Sequence, residues 1–585
     1  MCGIVGCALK RRASDIIYGG LKQLEYRGYD SAGIATLSKG RISIVKRQGK
    51  VEKLENCIGE LCGNIGIGHT RWATHGKPSD VNAHPHAAGK FAIVHNGIIE
   101  NCSELKEKYF PDADFLSDTD SEVIVRLLDK FYDGDLLNAL KKVADLLTGS
   151  YAIVVICTDY AGIAAVKYKS PVIVGSGADG NYAASDAPAL AGLCREISVL
   201  EDNDLALVTQ DDVRVFDGNL NEVSRAVRPN LATPANLDLG GCPHYMLKEI
   251  RESPYAIANT CAVFHTAERE LEKICSGADR VIITGCGTAY NSGLVAKRYI
   301  EQFARIPCEA EIAGEFRYKN PIVGENTLVV AISQSGETAD TVEAARLAKR
   351  ANARVVAVTN APYSQLTGIA DVVVPVAAGP EICVAATKSY AGQIAALYLL
   401  ANVLSGRATD FEEMQKISRL CKETVENTDI SAIADMCARS GGVYFLGRDI
   451  DYAVALEGSL KLKEVSYIPS EGYPAGELKH GTLALIDENA VAVVVITSER
   501  LAGKTENAVE QVLSRKGKVA VVTGLESVAK KLKDRAEIVK ICDCGEYLSP
   551  LISSVALQLI AYKTAVMLGR DPDKPRNLAK SVTVE

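Results

Sequence analysis

VVAISQSGETADT, residues 329–341, carries an apolar, strand-like run straight into a polar turn. A helical pattern follows, ADTVEAARLAKRAN (339–352), and then a second buried-strand pattern, RVVAVTN (354–360). Strand, helix and strand in that order read as a βαβ unit of a parallel sheet. Upstream, RVIITG (280–285) leads into a helix expected from about 289 to 304.

The unit occurs twice. Shifted by 162 positions, ITGCGTAYNSGL (283–294) lies on FLGRDIDYAVAL (445–456), and IPCEAEIAGE (306–315) lies on IPSEGYPAGE (468–477) with six of ten residues identical. Shifted by 164, VVAISQSGETADT lies on VVVITSERLAGKT (493–505) and RVVAVTN on KVAVVTG (518–524). Matching strands, helices and turns at a near-constant offset indicate two copies of one fold. The copies differ at one telling place: SQSGET (333–338) in the first is TSERLA (497–502) in the second.

SQSGET sits where a parallel strand ends and a helix begins, the end at which such sheets bind ligands. Ser333, Ser335 and Thr338 offer hydroxyls and Gln334 an amide. Gly336 lets backbone N–H groups converge beside the positive helix terminus. Helix capping would need only one hydroxyl. Three, with Cys286-Gly287-Thr288 ending a neighbouring strand, favour an anion site. No Walker lysine follows, so a sugar phosphate fits better than a nucleoside triphosphate. Further on, EGSLKLKE (457–464) reads as helix, with Glu457, Lys461 and Glu464 on one face. Such spacing usually makes a solvated ion-pair face.

The first part of the chain has another texture. Residues 2 to about 225 hold many short strand patterns, among them GIVGCAL, SAGIATL, RISIVKR, NIGIGHT, FAIVHNG, YAIVVIC, IAAVKY, PVIVGS and LALVT. A few helices interrupt them, such as 121–132. A strand-rich α+β sandwich covered by helices is expected. The stretch 227–244, VRPNLATPANLDLGGCPH, has no clear period and reads as a linker. The chain opens MCGIVG. Removal of Met1 would leave Cys2 with a thiol and a free α-amino group on one carbon.

Bulk properties exclude several classes. The chain has 585 residues, 47% hydrophobic and 24% charged, with a formal net charge of −8. That length suits three or four domains of a globular protein. No broad basic surface is implied, so nucleic acid is not an expected partner. No signal peptide and no 18-residue apolar run are seen, so a cytoplasmic protein without a membrane span is expected. The 17 cysteines include no C-x-x-C, and most read as reduced, buried small residues. His84-Pro85-His86 could suggest a metal, but no third ligand is convincingly spaced, and neither metal nor cofactor is expected.

SQSGET on a duplicated α/β unit resembles the sugar isomerase (SIS) domains. CGIVG, LEYRGYDSAG, GHTRWATHG, HNGIIEN and SDTDSEV together resemble the N-terminal-nucleophile (Ntn) glutaminase domain of class II amidotransferases. Their combination, closing with NLAKSVTVE, resembles the isomerizing glutamine–fructose-6-phosphate aminotransferase family from Cys2 to Glu585. The resemblance implies an α+β Ntn-hydrolase-type glutaminase domain (2–225), a linker (226–245), two α/β SIS domains with parallel sheets (246–410 and 411–575) and an active-site tail (576–585).

The implied reaction aminates fructose 6-phosphate with glutamine nitrogen and isomerises it to glucosamine 6-phosphate, the first step towards UDP-N-acetylglucosamine. Ammonia would pass internally between two sites. Cys2 would be the nucleophile, with its own α-amino group as base, since their reference pKa values of about 8.5 and 7.7–8 are close. Asn96 and Gly97 would form the oxyanion hole. Arg71 would hold the α-carboxylate of glutamine and Asp120 its α-ammonium, with Trp72, Thr74 and His75 also in that pocket. Trp72, the single tryptophan, would gate the ammonia passage. In the second half the resemblance gives Glu464 the C1–C2 proton transfer and places Lys461 in the sugar site. It gives His480 ring opening, reached across a homodimer interface, and Lys580 a Schiff base. Cys286, Gly287, Thr288, Ser333, Gln334, Ser335, Thr338, Val384 and Ala385 would hold the sugar phosphate. Ala386 stands where the family usually has serine. Two other readings fit less: a class II amidotransferase with another acceptor, and a sugar-phosphate-sensing protein with a decayed glutaminase. Cys2, Arg71, Asn96 and Asp120 are all present, against the latter.

Overall fold

The computed structural model describes residues 2–73 and 76–583. Two compact units result. One runs to Asp238 and takes in the segment from Ala579 onward; the other is Leu239–Leu578.

The first unit is built on β1 (Gly3–Leu9), α1 (Ala13–Gln23), β2 (Ile65–Arg71), β3 (Phe91–Ile99), α2 (Ser121–Phe131) and β4 (Gly149–Cys157). Among the described residues, β1 and β2 lie inside an eight-stranded antiparallel sheet, and β3 and β4 inside a seven-stranded one. The sheets face each other. Ile4 and Ala8 of β1 and Ile67 of β2 meet Ala92 and Val94 of β3 and Val154 and Ile156 of β4. Alternate residues of β3 point the other way: Phe91 and Ile93 pack with Val123, Ile124 and Leu127 of α2. This is the period-two reading of a strand buried on both faces. Helix α1 covers the outer side of β1 and β2, so the sandwich has helices on both outsides, as expected. Val227–Pro229, within the linker candidate, pairs with Glu196–Val199 as an edge strand of the larger sheet.

The second unit opens with a 31-residue helix, α3 (Tyr245–Cys275). The first repeat follows: β5 (Arg280–Gly285), α4 (Thr288–Phe303), β6 (Cys308–Ile312), β7 (Thr327–Ser333), α5 (Ala339–Arg350), β8 (Arg354–Thr359), β9 (Val372–Pro375) and α6 (Lys388–Leu404). The second comprises β10 (Gly442–Gly447), α7 (Ile450–Ser466), β11 (Ser470–Pro474), β12 (Ala490–Val495), α8 (Glu499–Leu513), β13 (Lys518–Thr523), β14 (Glu537–Lys540) and α9 (Pro550–Met567). Each sheet has five parallel strands, in the orders β6-β5-β7-β8-β9 and β11-β10-β12-β13-β14. The orders are the same, as the 162- and 164-residue offsets require.

Even a backbone irregularity repeats. The residue before α4, Gly287, has φ 55° and ψ −122°; the residue before α7, Asp449, has φ 57° and ψ −119°. Helices α6 and α9 are apolar around nearly their whole circumference and form the centre of the unit. By length and composition α9 could cross a membrane, but 83% of it is buried inside the unit. Helices α4 and α7, one from each repeat, pack on each other.

Candidate active sites

The first candidate site forms where β1 begins. Pairing of Gly3 with Thr70 sets Cys2 beside the end of β2. The Trp72 N–H approaches Cys2 Sγ at 3.4 Å. Burial pushes the thiol above its ordinary pKa, while the Trp72 N–H, Arg71 and Arg27 oppose the rise. The resting group is therefore a thiol, and attack needs a base that takes the proton at that moment.

Asn96 lies on β3 in the facing sheet and is 4% exposed. Its Nδ2 donates to Cys2 O at 3.0 Å. Its orientation is fixed from behind by His69, whose Nε2 lies 3.0 Å from both Asn96 Oδ1 and His95 O. Both partners are acceptors, so Nε2 carries the proton. Burial lowers His69 to about 3, which keeps the ring neutral at physiological pH. Gly97 has φ 131°, and a Cβ there would sit 1.9 Å from Ser150 O. Only glycine fits that strand position.

Arg71 and Asp120 are both buried. The Arg71 guanidinium donates to Gly76 O at 3.1 Å. Its pKa is drawn down by burial, against the pull of Cys2, Asp30 and Asp120. Asp120 accepts from the Ile99 N–H at 2.7 Å, just before α2. The two opposite charges lie close enough to interact with each other and with half-buried Cys2, a pairing whose chemistry suits the α-groups of an amino acid. Met1, Thr74 and His75 lie outside the described residues.

The second candidate site joins the two repeats. Glu457 and Lys461 side chains are each 1% exposed, and Glu464 is 21% exposed. The EGSLKLKE helix is thus no solvated ion-pair face. Lys461 Nζ donates to Glu464 Oε2 at 2.6 Å and to Thr288 Oγ1 at 3.0 Å. Thr288 Oγ1 donates in turn to Glu457 Oε1 at 3.0 Å, and Asn291 Nδ2 to Glu457 Oε2 at 2.7 Å. Burial works against the Lys461 ammonium, but Glu464 and Glu457 outweigh it and raise its pKa. Burial raises Glu457, resisted by Lys461 and Asn291. The result is a charged lysine held between two carboxylates, with Thr288 of the first repeat tied to helix α7 of the second.

In SQSGET, Ser333 Oγ accepts the Gly336 N–H at 3.0 Å and lies 3.1 Å from Thr338 Oγ1. Ser335 Oγ accepts the Glu337 N–H at 3.2 Å. Thr338 occupies the N-cap of α5, yet its side chain makes no capping bond. Gly336 has φ 64°, and a Cβ would meet Ser364 Oγ at 1.9 Å. Gln334 O accepts from the Asn360 N–H at 3.2 Å. Val384 and Ala385 are buried just before α6, and Ala386 is half-buried. Buried Glu381 orders the segment by accepting the N–H groups of Thr387 and Ser389 at 2.9 and 3.0 Å. Cys286 Sγ lies 3.8 Å from Thr341 Oγ1.

His480 ends a short 3-10 turn, Glu477–His480, and is exposed. Among the described residues its ring has no hydrogen-bond partner and no link to the Lys461 network. Lys580 lies in the terminal segment counted with the first unit. Sequence reasoning missed three supporting residues: His69, Asn291 and Glu381. Asn291 had a signal, falling one helical turn after Thr288; His69 and Glu381 act through long-range contacts with no local period.

Together the fold and its sites define a class: an N-terminal-nucleophile glutamine amidotransferase unit fused to a duplicated SIS unit. The SIS domain family model matches residues 274–403 and 436–568, and the glutamine amidotransferase domain model matches residues 69–190. Glutamine–fructose-6-phosphate aminotransferase (isomerizing) from Clostridium tetani is 44% identical over 615 residues, covering 100% of both chains. The enzyme of the same name from Thermus thermophilus is 44% identical over 608 residues, again covering 100% of both. Among solved structures, the C-terminal domain of glucosamine-fructose-6-phosphate aminotransferase from Francisella tularensis matches with TM-score 0.54 and 36% identity, covering 58% of this chain and 100% of that one. The chain belongs to the glutamine–fructose-6-phosphate aminotransferase (isomerizing) family.

Proposed function

We propose that the chain transfers the amide nitrogen of L-glutamine to D-fructose 6-phosphate and isomerises the product to D-glucosamine 6-phosphate, releasing glutamate. One observation carries the reading: a single chain holds both a half-buried thiol at Cys2 backed by Asn96 and a carboxylate–lysine–threonine network beside the SQSGET repeat.

Arg71 and Asp120 grip the glutamine α-groups. The free α-amino group of Cys2 takes the thiol proton as Sγ attacks the side-chain amide. Asn96 Nδ2 and the Gly97 N–H stabilise the tetrahedral oxyanion, and its collapse gives a thioester and ammonia. Water later releases glutamate. Ammonia must travel out of contact with water, where it would be protonated, and Trp72 gates that route. At the sugar site, Ser333, Gln334, Ser335 and Thr338 hold the phosphate, with Cys286, Gly287, Thr288, Val384 and Ala385 lining the sugar. His480 opens the ring and Lys580 holds the open-chain ketose as a Schiff base. Ammonia displaces it at C2, and the Glu464 carboxylate carries a proton between C1 and C2. Lys461 Nζ, donating to Glu464 Oε2 at 2.6 Å, holds the carboxylate in place for that role. The working form is a homodimer in which the partner copy supplies His480.

The test is to incubate Cys2→Ala protein with both substrates. Glutamine-dependent synthesis should vanish while fructose 6-phosphate still isomerises. Glutamine-dependent synthesis by that variant would overturn the nucleophile assignment.

A further inference from the structure

In the second repeat TSERLA keeps hydroxyls at Thr497 and Ser498 but has Glu499 and Ala502 where SQSGET has Ser335 and Thr338. That repeat nevertheless holds a cavity of ≈ 340 Å³ lined by Arg298, Arg448, Asp449, Gly476, Glu477 and Arg500, among others. The internal offsets locate it. Arg448 and Asp449 lie 162 residues after Cys286 and Gly287, and Arg500 lies 164 after Gly336. The cavity is the second repeat's counterpart of the phosphate-loop site, at the carboxyl end of β10 and β12.

Its chemistry is that of an anion site. Three guanidinium groups line it against two carboxylates. Asp449 is committed to Arg298 at 2.8 Å and Arg500 at 3.1 Å, and Arg500 also reaches Glu546 at 2.6 Å. Arg298 lies 3.5 Å from Glu301 as well. Glu477 is exposed. Arg448 has no carboxylate partner among the described residues, and its Nε is buried without a hydrogen bond. Gly476 makes room for it: a Cβ there would come within 3.0 Å of Arg448 Nη1. Asp449 keeps the φ 57°, ψ −119° backbone that Gly287 adopts in the first repeat. That conformation is strained for a non-glycine residue, and its carboxylate is what positions two of the arginines.

We propose that this cavity is a second, non-catalytic binding site for a phosphomonoester of sugar size. Arginine forks replace the hydroxyls and backbone groups of the first site, and Arg448 is the open fork that meets the phosphate.

Equilibrium dialysis of the full chain against radiolabelled glucose 6-phosphate tests this, with Ser335→Ala/Thr338→Ala to weaken the first site. Wild type should bind two equivalents per chain and that double variant one. Adding Arg448→Gln should weaken the remaining equivalent about tenfold or more, the usual effect of losing a charged hydrogen bond. Arg500→Gln serves as an independent second variant if Arg448→Gln folds poorly. A single equivalent unaffected by either arginine change overturns the proposal, as does a second equivalent that both leave intact. An arginine-dependent equivalent that survives alongside an unweakened first site would sink the SQSGET reading and leave this one standing.

Discussion

At the residue scale, each site rests on one polar group fixed by another behind it. Asn96 is held by neutral His69, so the two should fail together. Asn96→Ala should cost about 10²–10³ in kcat for glutamine hydrolysis, the usual effect of an oxyanion donor. His69→Ala should lower the same kcat by less and leave KM for glutamine nearly unchanged; a larger KM effect would mean His69 shapes the binding pocket instead. In the sugar site the critical group is Lys461. Lys461→Met would leave Glu457 and Glu464 facing each other without a cation. Breaking such a buried pair costs about 3–5 kcal/mol, so thermal melting should show a clear loss of stability as well as of isomerase activity. An unchanged melting temperature would show that water or a proton replaces the ammonium at little cost.

At the element scale, the decisive feature is the strand-to-helix turn. Gly336 allows the turn after β7 to fold back on Ser364, and no side chain fits there. Gly336→Ala should raise KM for fructose 6-phosphate roughly tenfold, from about 1–3 kcal/mol of strain, while glutaminase kcat stays put. Steady-state kinetics of both half-reactions check this, and equal damage to both would point to general misfolding. This turn was legible in the sequence because its glycine and hydroxyls are contiguous. The helix carrying Glu457, Lys461 and Glu464 was legible as a helix, but its burial was not. Periodicity gives the face on which residues lie, not what covers it. Here α4 of the other repeat covers it, bringing Thr288 and Asn291 from some 170 residues away.

At the scale of the whole molecule, two behaviours follow. The first unit encloses His69, His84 and His86 with ring centroids 4.2 and 4.6 Å apart along the series. Burial lowers His69 and His86 to about 3 and pushes His84 down as well. Unfolded histidine titrates near 6.5, so below that pH the unfolded chain takes up protons that the folded one refuses. Stability present above about pH 6.5 is therefore lost as pH falls towards 3, by up to ~1.4 kcal/mol per pH unit per ring. Calorimetry from pH 7.5 to 4.5 should show the first unit's transition moving down; a flat profile would mean the rings are charged or wet. Secondly, if His480 serves the partner copy, His480→Ala and Glu464→Ala proteins, each inactive, should regain about a quarter of wild-type activity on subunit exchange, as half the dimers then hold one complete site. No recovery would place His480 in its own chain's site.

The sequence by itself determined the duplicated parallel-sheet unit, the strand-rich first part, the phosphate-loop candidate and the nucleophile candidate, because each is written in local period or contiguous motif. Only the tertiary structure decided that Lys461 is buried between two carboxylates, that His69 fixes Asn96, and that three arginines line a cavity in the second repeat. Those outcomes depend on which distant surfaces exclude water from one another, and water exclusion is a property of packed elements rather than of any stretch of chain.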